Sequence, residues 1–485
     1  MRPLSPSRRG SLLILVFAFA AAGCGRHKKT GPAGSETAGE GSGEQAAGTV
    51  PGLKTHYDVT YTDNTVVLGR PTVESSYLGR GSDSTVYRFK AGTSAVERLK
   101  PGQILFLSGL ALRKVSAVST EGGEIDVQTA PATLAEAIRN GTISWNYAID
   151  WGHLPAGSYR AMQQAMLNAP AGGPPRWEPV AGPSATPVRF ASLVVAPGRP
   201  LAAGGAPTLS LKEKYRGWDL EYKLQPTGKR VNMDLVASKS AGGKKFMAIH
   251  ASGWISNFTQ ETILSWDQQT PDRIVVKTTG LEGQMEIKWS AFTMGEKGVT
   301  EVTAFQVPVD LPIPFDVGPI VAVLHLKAVL QVVPQLVPPD ASSGGSWKVT
   351  YRSDQGFETK NTLPTPWGGL HDSNIGVNGE TVSAGHYPVG FAVGVEFPRI
   401  ELSVLGTATA FVTVKAYSSS MFQPGTVLTG DIPPCQVGET QLMSVVGYKL
   451  GFFGLTIDQG QKEIWKKKET KYLHGKPCTM TGKTD

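Results

Sequence analysis

The chain reads as a mainly β protein: a small antiparallel barrel or sandwich followed by a large antiparallel β-sandwich. Three observations predict this class. Glycine and proline number 57 and 34 of 485 residues, and many of them separate short runs rich in β-branched and aromatic residues, as turns between strands require. Several runs alternate strictly. Trp218, Leu220, Tyr222 and Leu224 interleave with Asp219, Glu221 and Lys223; Met285, Ile287 and Trp289 with Glu286 and Lys288; Trp347, Val349 and Tyr351 with Lys348, Thr350 and Arg352. A period of two sends one face of each strand into a core and leaves the other in water. No internal repeat of fixed length is present, which sets aside propellers and solenoids.

The first 50 residues stand outside that pattern. Arg2, Arg8 and Arg9 precede an uncharged run over 11–22 that leads into Gly23-Cys24. The run is too short to cross a bilayer as a helix, which takes ~20 apolar residues. It has the layout of an export signal with a small-residue cleavage site. Ala21-Ala22-Gly23-Cys24 resembles the lipobox of bacterial lipoproteins, with Ala21 where that family most often has Leu. The resemblance implies a signal peptide over 1–23, a diacylglycerol thioether on Cys24 and fatty acylation, such as palmitate, of the new amino group. Several acyl chains on one residue make a stable membrane anchor. Gly25 follows the cysteine in place of Asp, which in that family implies the outer membrane; which face it serves stays open. Arg8-Arg9 is also weakly similar to a twin-arginine signal. Residues 25–50 contain no aromatic and one Val, too little apolar surface to offset the entropy of ordering, so 24–50 reads as a disordered tether.

Residues 51–151 read as the small β domain. Strand candidates lie at 57–61, 84–89, 104–107, 112–115 and 124–127, with Pro101-Gly102 and Gly122-Gly123 as turns. A helix is expected over 131–139, started by Thr129 or Thr133 and ended by Asn140-Gly141. Residues 152–207 read as a short helix followed by a Pro/Gly-rich linker. The large sandwich occupies 208–485. Within it 320–333, apolar on both faces apart from His325, Lys327 and Gln331, reads as a central strand.

The formal charge is +7, from 47 basic and 40 acidic side chains; six Arg/Lys against three Glu in residues 1–50 leave +4 to the remainder. No basic face of the kind nucleic acid needs is evident. With Cys24 given to lipid, Cys435 and Cys478 remain. In an exported chain they most simply form one disulfide, worth roughly 4 kcal/mol by loop-closure entropy. A metal pair, with His474 nearby, is the competing reading.

Searching for chemistry returns few motifs. There is no Gly-x-Ser-x-Gly elbow and no His-Glu-x-x-His. Asp372, Asn374, Asn378 and Glu380 supply oxygens that suit Ca2+, although their spacing departs from the EF-hand and an ordinary polar turn explains them as well. Trp151, Trp177 and Trp367 fall in segments read as loops, where rings are free to stack on sugars or a protein partner; core packing or a linker clamp is the more ordinary role for each ring taken singly. Residues 402–420 alternate small polar and apolar residues, as membrane-inserting hairpins and ordinary sandwich strands both do. The expectation is therefore a lipid-anchored envelope protein that binds an extracytoplasmic polymer, such as a glycan, or a protein partner. A polysaccharide hydrolase is the alternative, and a lipid-carrying or pore-forming protein a further one.

Overall fold

Strands dominate the chain, as its alternation requires, and their pairing crosses the expected domain boundary. The computed structural model describes residues 50–81, 85–154, 209–215, 217–241, 244–292, 303–335, 341–360, 363–376, 382–384, 389–423, 435–455 and 459–474, all within one compact unit.

Strand β1 (Leu53–Tyr61) is followed by the strands of a small sheet: β2 (Thr65–Leu68), β3 (Tyr77–Arg80), β4 (Val86–Lys90), β5 (Ile104–Leu107), β6 (Ala111–Glu121) and β7 (Glu124–Pro131). Short helices α1 (Arg70–Ser76) and α2 (Ser94–Glu97) interrupt them. The order is β2-β5-β6-β7-β4-β3, an open half-barrel in which only β2–β5 is parallel. Gly122 and Gly123, at φ 60° and 85°, make the β6–β7 turn; both central residues take the left-handed conformation that suits a tight hairpin. All four residues of β5 are buried. Leu105 and Leu107 fill the half-barrel, while Ile104 and Phe106 join the main core.

The helix expected over 131–139 is a single turn, α3 (Leu134–Ala137). Thr133 caps it: the Glu136 N–H donates to Thr133 Oγ1 at 3.3 Å and the Thr133 N–H donates to Glu136 Oε2 at 2.8 Å. Asn140-Gly141 does not end a helix, because β8 (Ile138–Ala148) has already begun. Gly141 has φ 130°, and a Cβ there would lie 2.2 Å from the Asp58 carbonyl oxygen, so this glycine serves the close approach of β1. Burial opposes ionisation of Glu136, but the Thr133 N–H and the Lys114 ammonium outweigh it and hold the carboxyl below its ordinary value. Glu136→Gln keeps an acceptor for the Thr133 N–H but loses the charge beside Lys114, and should cost at most about 0.5 kcal/mol at neutral pH, since solvent screens a half-exposed pair. A lowered folded pKa means that this contribution is complete above the ordinary carboxylate range and vanishes as pH falls through the folded value. Denaturation of both proteins at neutral and acid pH checks this: the gap closes in acid.

The remaining strands build two large sheets. They are β9 (Leu209–Tyr215), β10 (Trp218–Thr227), β11 (Arg230–Ala241), β12 (Lys244–Ser256), β13 (Thr259–Asp267), β14 (Thr270–Phe292), β15 (Thr303–Val317), β16 (Ile320–Gln335), β17 (Ser342–Lys360), β18 (Leu363–Gly376), β19 (Val382–Ala384), β20 (Val389–Val404), β21 (Thr407–Gln423), β22 (Cys435–Lys449) and β23 (Gln459–His474). One antiparallel sheet runs β1-β8-β13-β14-β12-β11-β10-β9, with β17 also on β14 and β18 and β19 on β17; the other runs β15-β16-β20-β21-β22-β23. Strand β8 pairs with β13 from Thr259↔Ala148 to Trp266↔Gly141. The expected break between a small and a large domain near residue 151 is thus not a break in the sheet. Ile143, Trp145 and Tyr147 are buried in the common core, and leaving that face in water would forfeit their burial. The short helix expected over 158–168 and the linker after it lie outside the described residues.

The first sheet branches at β14. Its residues 270–279 pair with β13 and 283–291 with β12 on one edge, while β17 takes the other edge along both halves. A register shift between Thr278 and Leu281 marks the branch. Gly280 there has φ 69°, and its N–H donates to Asp354 Oδ1 at 2.8 Å. The inner faces of the two sheets share one core. Trp289 stacks on Phe391 across it at 5.9 Å, and Phe315 meets Trp145 and Tyr147 edge-on. The sandwich expected from the alternation is therefore present. Strand β16 lies between β15 and β20, which accounts for its two apolar faces.

A polar row inside the sandwich: the candidate functional site

The expected site residues do not come together. Trp151 is fully buried: its Nε1–H donates to the Ser256 carbonyl at 2.9 Å and its ring meets Phe258 edge-on at 5.8 Å. The local loop is short enough for the core to reclaim the ring, so Trp151 is a packing residue and not a free stacking platform. Trp367 lies on β18, half-buried, with Lys277 Nζ 4.4 Å from its ring centroid. Trp177 lies outside the described residues, as do Cys24, Cys478, Asn378 and Glu380. Cys435 is disulfide-bonded and sits at the start of β22. Asp372 and Asn374 belong to β18, opposite Arg352 and Thr350, and are exposed; sheet pairing has claimed residues 371–376 of the segment read as a polar turn. Among the described residues no group of three or more His, Cys, Asp or Glu is placed to hold a metal ion.

A different set does converge. The alternation of Trp347, Val349 and Tyr351 continues inward along β17 to Ser353, Gln355 and Phe357, all at 3 % exposure or less. Gln355 lies opposite Thr278, and Thr278 opposite Gln260. Directly opposed residues of antiparallel strands share a face, so these three form one inward row, and Tyr147 of β8 extends it. Thr278 Oγ1 donates to Gln260 Oε1 at 2.8 Å. From the other sheet, Ser444 Oγ donates to Gln355 Oε1. Trp465 of β23 is the register partner of Ser444 and packs partly buried against the same core.

Much of this row is left without partners. Trp347 Nε1, Tyr351 Oη, Ser353 Oγ and Gln355 Nε2, all on one face of β17, are buried with no hydrogen-bond partner among the described residues. The same holds for Trp145 Nε1, Thr262 Oγ1 and Trp465 Nε1 beside them. Each such group costs about 1–3 kcal/mol relative to a satisfied one, and buried polar atoms in folded proteins normally find protein, water or ligand partners. Burial raises the Tyr351 hydroxyl well above its ordinary pKa and pushes Tyr147 up to about 12, with Asp150 adding to the effect, so both stay neutral donors. Glycines let the rings lie flat: a Cβ on Gly283 would come 2.5 Å from the Tyr351 hydroxyl, and one on Gly345 would come 2.5 Å from the Trp289 ring.

Charged groups are segregated from this row. Lys327 and Glu401 pair at 3.0 Å, and Lys415 and Glu396 at 2.8 Å, with Arg399 between the two carboxylates. These residues alternate with the core-facing side chains of β16, β20 and β21, which places them on the opposite face of the second sheet. On β23, where Lys466, Lys467 and Lys468 are consecutive, Lys468 pairs with Glu439 at 2.6 Å and Lys467 with Glu469 at 3.7 Å. The carboxyls of Glu136, Asp150 and Glu286 are displaced downward, away from the range a general acid needs. Asp150 is held low chiefly by the His153 ring, 2.9 Å away, in a surface turn around buried Trp151.

The sequence signal for the row was simple: polar residues at inward positions of otherwise apolar alternation. It was missed because Ser353 and Gln355 look like the end of a strand when read locally. Fold and site together define a branched β-sandwich with a row of polar side chains along the inner face of β17. The family model for a domain of unknown function (DUF8403) matches residues 45–140, which takes in β1, the half-barrel and α3 and ends just inside β8. No curated protein and no solved structure matches the chain.

Proposed function

We propose that this is an envelope-tethered binding protein that holds its ligand inside the sandwich, against the inner face of β17. The reading is carried by the four unpartnered polar atoms of Trp347, Tyr351, Ser353 and Gln355. Their burial opposes folding, and a bound molecule that accepts hydrogen bonds would offset it. The lipobox-like segment ending at Cys24 supports attachment to the outer membrane, and mass spectrometry of the mature N-terminus tests that part. Recognition through exposed rings has Trp367 alone to draw on among the three tryptophans named for it, Trp177 lying outside the described residues. A polysaccharide hydrolase most often uses two facing carboxylates, and among the described residues the inward row of β17 carries none.

The test is native mass spectrometry of the full chain released gently from membranes, alongside a Gln355→Leu/Ser444→Ala variant. The wild type should carry a co-purifying organic molecule that the variant lacks. The variant should be as stable as the wild type or more stable, by about 1–2 kcal/mol, because both partners of a buried polar contact have been replaced. A variant that loses several kcal/mol, together with a wild type that carries nothing, would show the row to be structural.

A further inference from the structure

Resting on that reading, we propose that the ligand is an uncharged, chain-like molecule bearing ester or amide oxygens, and that it enters sideways between β18 and β23.

The chemical class follows from what the interior offers. The unpartnered groups are indole N–H, amide N–H and hydroxyl groups, all neutral donors. The main core around them is built from apolar and aromatic side chains, and the nearest buried charges pair with one another behind the second sheet. An anion brought inside would lose its hydration without meeting a cation, at a cost of many kcal/mol. A carbonyl oxygen loses much less and gains a donor. The donors recur along β17 from Trp347 to Gln355 with apolar Val349 among them. At ~3.3 Å per residue this is a line of roughly 26 Å, which suits an extended chain better than a compact ring.

The route follows from the edges. Strand β18 ends one margin of the first sheet, and β23 ends the second. They run close together, yet no backbone pair joins them among the described residues. Two lysines bridge the gap instead: Lys462 Nζ donates to the Pro364 carbonyl, and Lys467 Nζ donates to the Ser373 carbonyl at 3.4 Å and to its Oγ at 3.1 Å. Ladder bonds along a strand must break together, whereas two flexible ammonium contacts can exchange with water one at a time. Beneath this margin lie Leu370, Ile464 and Trp465, partly buried against the core. Trp465, whose Nε1 has no partner among the described residues, stands in register with Ser444, which bonds Gln355. This margin, held by two side-chain bridges, therefore lies beside the polar row.

The experiment uses cis-parinaric acid and its methyl ester as fluorescent probes of the full chain held in amphipol. At mildly alkaline pH the ester should bind about tenfold or more tightly than the ionised acid. In a Ser373→Cys/Lys467→Cys variant, joining the thiols with a short bismaleimide should slow ester exchange at least about tenfold while leaving equilibrium affinity within a factor of about two of the unlinked variant. Equal binding of acid and ester overturns the chemical class. Exchange unaffected by the link overturns the route. Failure of both probes, together with a wild type that carries no organic molecule, overturns the interior site itself and this proposal with it.

Discussion

Replacing Trp151 with alanine is expected to lower the unfolding free energy by about 3–5 kcal/mol, the range for a fully buried aromatic. Its indole packs edge-on against Phe258, and its Nε1–H satisfies the Ser256 carbonyl; its own N–H reaches Asn257 Oδ1 at 3.3 Å. All three contacts fall on the turn between β12 and β13, the strands that part company along β14. The substitution therefore removes packing and a hydrogen bond where the sheet forks. Trp367→Ala should cost much less, about 1 kcal/mol, because the ring is half-buried on an edge strand and loses chiefly its contact with Lys277. Denaturant unfolding of the two variants gives the comparison directly. A stable Trp151→Ala protein beside a collapsed Trp367→Ala protein would reverse the roles assigned to these rings.

Gly356→Ala should cost about 3 kcal/mol, the upper part of the range for overpacking, and should empty the interior site. A Cβ at Gly356 would lie 2.1 Å from the Val276 carbonyl oxygen and 2.8 Å from Lys277 Cα. Both are backbone atoms of β14, so β17 must move away from it. Gln355 and Phe357 flank the glycine and face inward, and they move with it. Gly369 on β18 provides the control, since a Cβ there meets nothing within 4 Å; Gly369→Ala should stay within about 0.5 kcal/mol of wild type. Thermal unfolding and ester-probe fluorescence on the same samples would separate the two effects. A Gly356→Ala protein with unchanged probe binding would detach the ligand site from β17.

How much could be read in advance differed from element to element. In β10 the inward residues from Trp218 to Leu224 were legible, because burial there alternates along a single strand. The β6–β7 turn was legible because Gly122-Gly123 carries its own conformational preference. The helix over 131–139 was overestimated: Leu134 and Ile138 are four residues apart, which suits a helix, but Ile138, Ile143, Trp145 and Tyr147 are buried as members of β8, and pairing with β1 and β13 prevailed over local helix propensity. For Trp151 the loop position left stacking and core packing both open, and burial under the β12–β13 turn selects core packing. Gln355 and Ser444 were invisible as a pair. They are 89 residues apart in the chain, and only the packing of one sheet on the other brings them into a hydrogen bond.

From its residues alone the chain was bound to form strands with one dry face, since a period of two is a local property set by the extended backbone. The same residues also set which side chains each strand would turn inward. Which strands would be neighbours was decided only by the tertiary structure, because ladder hydrogen bonds use backbone groups that every residue carries alike. That choice tied β8 to β13, forked the sheet at β14, buried Trp151, and left a line of neutral donors without partners among the described residues.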